Sequence, residues 1–115
     1  MREISFQQAL DEAMAEEMRR DTRIFALATV RNGALEKEFG DKRVRFTPIS
    51  EAAFTGIGLG AAGSGFRPVV HWGMVTFSFV AMDQIVNQAA KLHYMFGGQF
   101  VLPLVIRTPS GGGRP

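Results

Sequence analysis

Patterns typical of helices and of strands alternate along the chain, and this alternation constrains the fold more than any other feature. From the amino terminus, the order is helix, strand, short helix, strand, helix, strand, helix, strand. Such an order predicts an α/β layer fold with a mainly parallel sheet. With 115 residues, the chain is expected to form one domain, residues 1–115.

Apolar periodicity and turn residues set the expected limits of each element. Ser5 and Gln8 form a capping box before the first helix, and Gly97 with Gly98 ends the last one. Helices are predicted at residues 6–20, 34–39, 50–65 and 78–94, strands at residues 23–29, 43–46, 68–72 and 100–106, and a flexible loop at residues 108–115.

Four residues closely follow the ends of the predicted strands, namely Thr29, Glu51, Gly73 and Thr108. Because the carboxyl ends of parallel strands meet at one edge of a sheet, these residues are expected together at that edge. Ligands of open α/β sheets bind beyond this edge. It is therefore the expected location of a functional site.

Glu51 lies where a strand is expected to give way to a helix. Pro48 excludes a helix before it. Ser50 is a favourable N-cap, so Glu51 falls in the first helical turn, where the helix dipole favours a negative charge. From these residues alone, an acid that stabilises the start of the helix is a simpler interpretation than a catalytic one.

Residues 58–63 match the G-x-G-x-x-G pattern of dinucleotide-binding loops, but these glycines lie inside a predicted helix and do not open one. We interpret them as allowing two helices to pack closely. His71, in an apolar strand, is more typical of a structural histidine than of a catalyst. Trp72 and Phe77 are expected in the core, although Phe77 is near a strand end, where its ring could contact a flat ligand.

Composition excludes several classes of function. The net charge is only +2, with basic residues scattered among acids, so no nucleic-acid partner is expected. There is no cysteine and only two histidines, which excludes a disulfide framework or thiolate nucleophile and argues against a zinc site. The amino terminus lacks the apolar core of a signal peptide and no apolar run could span a bilayer, so a cytoplasmic location without membrane contact is expected.

Several ordered motifs resemble the β subunit of thiamine-diphosphate-dependent 2-oxo acid dehydrogenases, the family of pyruvate, branched-chain 2-oxo acid and acetoin dehydrogenase components. The motifs are at residues 47–54, 65–70, 81–91, 94–98 and 103–113. The resemblance extends over the whole chain. It implies a transketolase-like pyrimidine-binding domain with a doubly wound, mainly parallel α/β sheet, of which this chain is the amino-terminal part.

The resemblance also implies roles for individual residues. Glu51 matches the acid that hydrogen-bonds to N1′ of the aminopyrimidine of thiamine diphosphate and so promotes attack on a 2-oxo acid. Ile49 and Phe77 match positions that line the pyrimidine. Leu104 matches a residue whose backbone carbonyl contributes to a monovalent-cation site, such as one for potassium, in some members.

The same resemblance implies partners. An α subunit would hold the cofactor's diphosphate and magnesium within a heterotetramer. The acyl group formed by oxidative decarboxylation would pass to a lipoyl-bearing acyltransferase core. Catalysis is then expected only at the interface between the α and β subunits, and this chain alone is expected to be inactive.

The chain departs from the family pattern in three ways. The stretch after the first strand, residues 28–33, is about ten residues shorter and lacks the family's acids. Gly73 occupies a position where a larger side chain, often Met, usually contacts the pyrimidine. Family members also continue beyond residue 115 through a His-bearing loop and a further domain. Two alternatives therefore remain: a non-catalytic module that binds the α subunit, and a transketolase-type relative, against which residues 81–91 argue.

Overall fold

A four-stranded sheet forms the framework of the chain in a computed structural model that describes residues 2–111. The strands are β1 (Ile24–Ala28), β2 (Val44–Phe46), β3 (Arg67–His71) and β4 (Val105–Arg107). They lie in the order β2-β1-β3-β4, and every neighbouring pair is parallel. The predicted parallel α/β sheet is confirmed. The last part of the predicted flexible loop, residues 112–115, lies outside the described residues.

Within residues 2–111, four α-helices, one 3₁₀ helix and one π-helical segment accompany the strands. The α-helices are α1 (Phe6–Arg20), α2 (Gly33–Phe39), α3 (Glu51–Gly63) and α4 (Leu92–Met95); the 3₁₀ helix is Val75–Phe79 and the π-helical segment is Gln84–Ala89. The capping box before α1 is present, since the Ser5 hydroxyl accepts from the Gln8 N–H at 3.2 Å and the Gln8 side chain accepts from the Ser5 N–H at 2.8 Å.

Helices cover both faces of the sheet, so the doubly wound arrangement is confirmed. Successive strand residues point to opposite faces, which places Val69 on the α1 and α2 side and Val70 on the α3 side. The first core cluster contains Ala15, Met18, Ile24, Ala26, Leu35 and Val44. The second contains Leu27, Phe54, Val70, Trp72 and Ala81.

The prediction of one continuous helix over residues 78–94 is wrong. The segment is divided among the 3₁₀ helix, the π-helical segment and α4. In its middle, the Ala90 N–H donates to the Ile85 carbonyl five residues back, at 3.0 Å, which is the π-helical pattern. Apolar periodicity reports which residues share a face, but it does not determine whether hydrogen bonds span three, four or five residues.

The predicted strand at residues 100–106 is also wrong in its extent, since only Val105–Arg107 pairs with the sheet. Pro103 explains the difference, because it has no N–H to donate to a neighbouring strand. The chain turns tightly around it, and the Leu104 N–H donates to the Leu102 carbonyl at 2.8 Å. An apolar run interrupted by proline is therefore only partly strand.

The glycines of α3 have different surroundings, which corrects their interpretation as a contact between two helices. A Cβ on Gly56 would lie 3.2 Å from the Gln84 side chain of the π-helical segment, as that interpretation expects. Gly58 instead faces β3, where a Cβ would come within 2.7 Å of the Val70 side chain. Nothing lies within 4 Å of a Cβ on Gly60. The closest approach is therefore between α3 and the sheet.

Candidate active site

The carboxyl ends of the strands form one edge of the sheet. In the strand register, Ala28 lies opposite both Phe46 and His71, and His71 lies opposite Arg107. Just beyond these ends, a Cβ on Gly73 would lie 3.7 Å from both the Thr29 hydroxyl and the Phe77 ring. The expectation that Thr29 and Gly73 share this edge is confirmed, and the space beside Gly73 would admit a side chain.

Glu51 is the first residue of α3 and is only 4% exposed. One of its carboxyl oxygens, Oε1, is buried and has no hydrogen-bond partner among residues 2–111. A buried acceptor without a donor costs roughly 1–3 kcal/mol, and more if it is charged. Such an atom indicates that a donor from outside this chain, a ligand or a water molecule, belongs beside it.

Ser50 precedes α3 as predicted, but its side chain does not cap the helix. Its backbone angles, φ −166° and ψ 66°, differ from those of Ser5, whose hydroxyl does cap α1. The Ser50 hydroxyl instead donates to the Pro48 carbonyl at 3.1 Å. The Ser50 carbonyl accepts from the Phe54 N–H at 3.1 Å, but the first N–H groups of α3 receive no acceptor from the Ser50 side chain. Their partial positive charge favours the Glu51 carboxyl group beside them.

The other residues matched to the cofactor site differ in exposure. Ile49 is 81% exposed, and Phe77 is 37% exposed, so the expectation that Phe77 belongs to the core is wrong. Both present apolar surface near the carboxyl edge, where another molecule could cover it. Leu104 is half-buried, and its side chain lies 3.4 Å from a Cβ placed on Gly58. Its role in a cation site stays a prediction.

A buried hydrogen bond that the sequence reasoning missed holds α3 against the end of β3. The indole N–H of Trp72 donates to the Thr55 hydroxyl at 3.0 Å, and both residues are buried. Thr55 is one helical turn beyond Glu51, so this bond ties the Glu51 end of α3 to the sheet. The sequence contained one indication that Thr55 has a specific role, because Glu51 and Thr55 are polar residues four positions apart in an otherwise mostly apolar helix.

Thr55→Val is expected to lower the free energy of unfolding by roughly 1–3 kcal/mol, because it leaves the buried indole N–H without an acceptor while nearly preserving volume. Thr55→Ser keeps the hydroxyl and is the matched control. Urea unfolding followed by Trp72 fluorescence measures both. Equal losses in the two variants would show that the methyl group, and not the hydrogen bond, stabilises this contact.

His71 is half-buried on the sheet face opposite α3. Burial lowers the pKa of His71, and the positive charge of Arg107 lowers it further, while the negative charge of Asp11 opposes both. The unfolded chain therefore takes up a proton at His71 before the folded chain does. His71 contributes stability fully above its ordinary pKa of 6.5 and loses it as pH falls through the lowered value.

His71→Gln is therefore expected to make the free energy of unfolding fall less steeply with acidification below pH 6.5. The glutamine keeps a polar side chain but does not titrate. Urea unfolding at a series of pH values, on both chains, measures the difference. A pH dependence unchanged by the substitution would contradict the lowered pKa.

Within residues 2–111, no three His, Asp or Glu side chains come together in a way that could hold a metal ion. No described helix is long and apolar enough to cross a membrane.

Comparison with known proteins gives one family and a consistent set of relatives. Residues 2–114 match the family described as the transketolase, pyrimidine binding domain. A pyruvate dehydrogenase E1 component subunit beta from Rickettsia bellii is 45% identical over 119 residues, covering 95% of this chain. Mitochondrial subunits of the same description are 42% identical in Arabidopsis thaliana (subunit beta-1) and 41% identical in Homo sapiens, covering 96% and 95% of this chain.

This chain corresponds to only part of these relatives. It covers 36% of the Rickettsia protein and 33% of the Arabidopsis and human proteins. The Rickettsia match extends over 119 residues, more than the 115 in this chain, so the relative contains residues that this chain lacks. This agrees with a shortened connection between β1 and β2.

Proposed function

Because the chain belongs to the transketolase pyrimidine-binding domain family, we propose that it is part of the β subunit of a 2-oxo acid dehydrogenase, with pyruvate as the 2-oxo acid. The naming of its relatives as pyruvate dehydrogenase E1 β subunits supports this proposal. The observation that carries it is Oε1 of Glu51, which is buried beyond the carboxyl end of β2 and has no hydrogen-bond partner among residues 2–111.

The residues at this edge fit the aminopyrimidine of thiamine diphosphate. Oε1 of Glu51 has no hydrogen-bond partner in the described part of the chain, and the proposed partner is N1′ of the pyrimidine. The proposed function of Glu51 is to hold and exchange a proton at that nitrogen. The low exposure of the carboxyl group limits competition from water for this bond. When bound, thiamine diphosphate supplies an electron sink that stabilises the carbanion left by decarboxylation.

Ile49 and Phe77 are proposed to contact the flat pyrimidine ring. Ile49 is two residues before Glu51, and Phe77 lies at the carboxyl edge of the sheet. Both side chains expose apolar surface, and contact with the pyrimidine ring would remove this surface from water. The Phe77 ring offers a face for stacking. Gly73, beside Phe77, contributes no side chain, so the contact that a larger residue makes in relatives would come from elsewhere.

The proposed assembly needs further components. An α subunit would hold the diphosphate and magnesium, and a lipoyl-bearing acyltransferase core would accept the acyl group. Potassium bound through the Leu104 carbonyl remains a prediction from the resemblance. The exposed apolar side chains of residues 75–105, which include Phe79, Val80, Tyr94 and Met95, offer surface that partner chains could cover.

Reconstitution tests this function. The β polypeptide that contains residues 1–115 is to be co-expressed with an α subunit, and carbon dioxide release from pyruvate measured with and without thiamine diphosphate. Release that requires the cofactor and both subunits is expected. Tight association of the two subunits without any cofactor-dependent release would contradict the proposal.

That second outcome would support a non-catalytic module that binds the α subunit. One observation favours this alternative: the Rickettsia relative contains residues that this chain lacks. The acids of the family pattern are expected among these residues, between β1 and β2. Restoring a connection of family length should then restore cofactor-dependent release. The same experiment therefore separates the two functions.

A further inference from the structure

A cavity of about 310 Å³ lies on the sheet face opposite α3, bounded by α1, the carboxyl ends of the strands and the segment between β1 and α2. Its lining includes Asp11 of α1, Asn32 before α2, and His71 and Arg107 of the sheet. Glu51, Ile49 and Phe77 are not among its lining residues. Gly73 lines this cavity and also lies beside Phe77 at the proposed cofactor site, but the other lining residues have no role in that site.

The strand register divides the lining into two rows. Ala26 lies opposite both Val44 and Val69, which forms an apolar row inside the first core cluster. Two residues further along the strands, His71 lies opposite Arg107, which forms a polar row at the carboxyl edge. Because side chains two apart on a strand face the same side, the two rows are about 6–7 Å apart. The cavity therefore has an apolar part and a polar part.

The polar row offers hydrogen-bond donors to a molecule in the cavity. Both oxygens of Asp11 already accept hydrogen bonds, one from Arg107 Nη1 at 2.9 Å and one from Gln7 at 3.0 Å. Arg107 Nη2 is buried and has no acceptor among residues 2–111. The half-buried His71 ring lies in the same row and carries a further N–H donor. An acceptor from outside would satisfy these donors.

Charge narrows the class of acceptor. The lining contains two guanidinium groups, Arg31 and Arg107, against one carboxylate, Asp11. Arg31 is paired with Glu36 at 2.7 Å and Arg107 with Asp11 at 2.9 Å, so the lining carries no net charge. The buried Nη2 of Arg107, which has no acceptor among residues 2–111, is the group that favours an anion. The neighbouring Asp11 would repel a dianion such as phosphate more strongly than a monoanion. The planar fork of a guanidinium group matches the geometry of a carboxylate.

We propose that this cavity binds a short-chain monocarboxylate, with its carboxylate at His71 and Arg107 and its alkyl chain against Ala26, Val44 and Val69. The site lies on the opposite face of the sheet from α3 and uses neither Glu51 nor thiamine diphosphate. Its test needs no cofactor and no α subunit, so it can fail or succeed independently of the proposed function.

The chain offers a direct probe, because it contains only two histidines, His71 and His93. Butyrate is titrated into the full 115-residue chain at constant ionic strength, and the ring C–H resonances of both histidines are followed by proton NMR. We expect a saturable shift of the His71 resonance only, with a dissociation constant on the order of millimolar. Acetate, two methylenes shorter, is expected to bind about fifteenfold more weakly, and 1-butanol should give no saturable shift.

Two variants test the assigned groups. Arg107→Lys keeps a positive charge for Asp11 but loses the guanidinium fork, and it is expected to weaken butyrate binding at least tenfold. Arg45→Gln, which removes an exposed guanidinium group from β2 outside the cavity, is the matched control and should leave binding unchanged. Circular dichroism confirms that each variant is folded.

Three results would overturn the proposal: a His71 shift that rises with butyrate without saturating, an equal shift of His93, or equal binding of butanol. Because these results come from the unsubstituted chain, they decide the question even if Arg107→Lys fails to fold. A folded Arg107→Lys variant with undiminished affinity would also overturn it.

Discussion

Replacing Glu51 with glutamine is expected to slow exchange of the thiazolium C2 proton of bound thiamine diphosphate by at least about 100-fold in the assembled α/β enzyme. Glutamine nearly preserves the shape of the side chain but cannot exchange a proton with N1′. NMR of the acid-quenched cofactor after transfer to deuterium oxide measures the rate. Near-normal exchange would exclude the role assigned to Glu51.

Stability measurements separate this chemical effect from misfolding. Within residues 2–111, no donor reaches the buried Oε1 of Glu51. The cost of burying it, roughly 1–3 kcal/mol, exceeds the roughly 0.3–1 kcal/mol that a carboxylate gains at the start of a helix. Replacing the carboxyl group with a neutral amide should therefore not weaken folding. We expect Glu51→Gln to keep at least the original free energy of unfolding. Glu16→Gln, at an exposed position of α1, is the matched control and should change neither exchange nor stability.

A glutamine variant less stable than the original by more than about 1 kcal/mol would indicate that the carboxyl group has a structural role. Slowed exchange could then reflect a displaced helix. Slowed exchange with unchanged or increased stability is the combination that supports proton exchange by Glu51. Functional groups that cost stability when no ligand is bound are expected at active sites.

Gly58→Ala adds a methyl group to α3 and is expected to lower the free energy of unfolding by about 1–2 kcal/mol. The new Cβ would lie 2.7 Å from Val70 Cγ2 and 3.4 Å from Leu104 Cδ1. Val70 is completely buried in β3, the strand between β1 and β4, and its branched side chain has little rotamer freedom. The sheet or α3 must therefore move. Gly58→Val should cost about 3 kcal/mol or more.

Gly60 is the matched control, because it lies in the same helix with nothing within 4 Å of a Cβ. Gly60→Ala should raise the free energy of unfolding by up to about 1 kcal/mol, since alanine is the better helix former. Urea unfolding measures the free energy of unfolding of both variants, which should decrease in Gly58→Ala and increase in Gly60→Ala. Two stabilised variants would contradict the close packing of α3 on β3.

A double mutant locates the effect at one contact. Val70→Ala alone should destabilise the chain by creating a cavity. In the Gly58→Ala background, the same change makes room for the new methyl group, so its cost should be smaller by at least about 1 kcal/mol. Simple additivity would show that the strain at Gly58 arises elsewhere.

Prediction from sequence succeeded where short-range chemistry decides the structure. Ser5 and Gln8 were sufficient to place the start of α1. The helix predicted at residues 34–39 is observed at Gly33–Phe39, where Asn32 caps it and Gly40 ends it with a φ of 73°. These features depend on neighbouring residues only.

Prediction failed where two structures satisfy the same local pattern. The apolar spacing over residues 78–94 is compatible with a continuous α-helix and with the observed 3₁₀, π and α segments. Ser50 has the right residue type for a side-chain cap, but its hydroxyl bonds to Pro48. Phe77 was expected inside and is partly exposed, because apolar character alone does not reveal which surface other chains cover.

Local patterns were enough to establish the order of helices and strands, the parallel sheet and the place of Glu51 at the start of a helix, because periodicity, proline and capping residues act over a few residues. Tertiary structure decided that Oε1 of Glu51 is buried with no donor from residues 2–111, that Gly58 faces Val70, and that His71 lies beside Arg107. Each of these depends on which distant strands pair and in what register, and no local pattern encodes that choice.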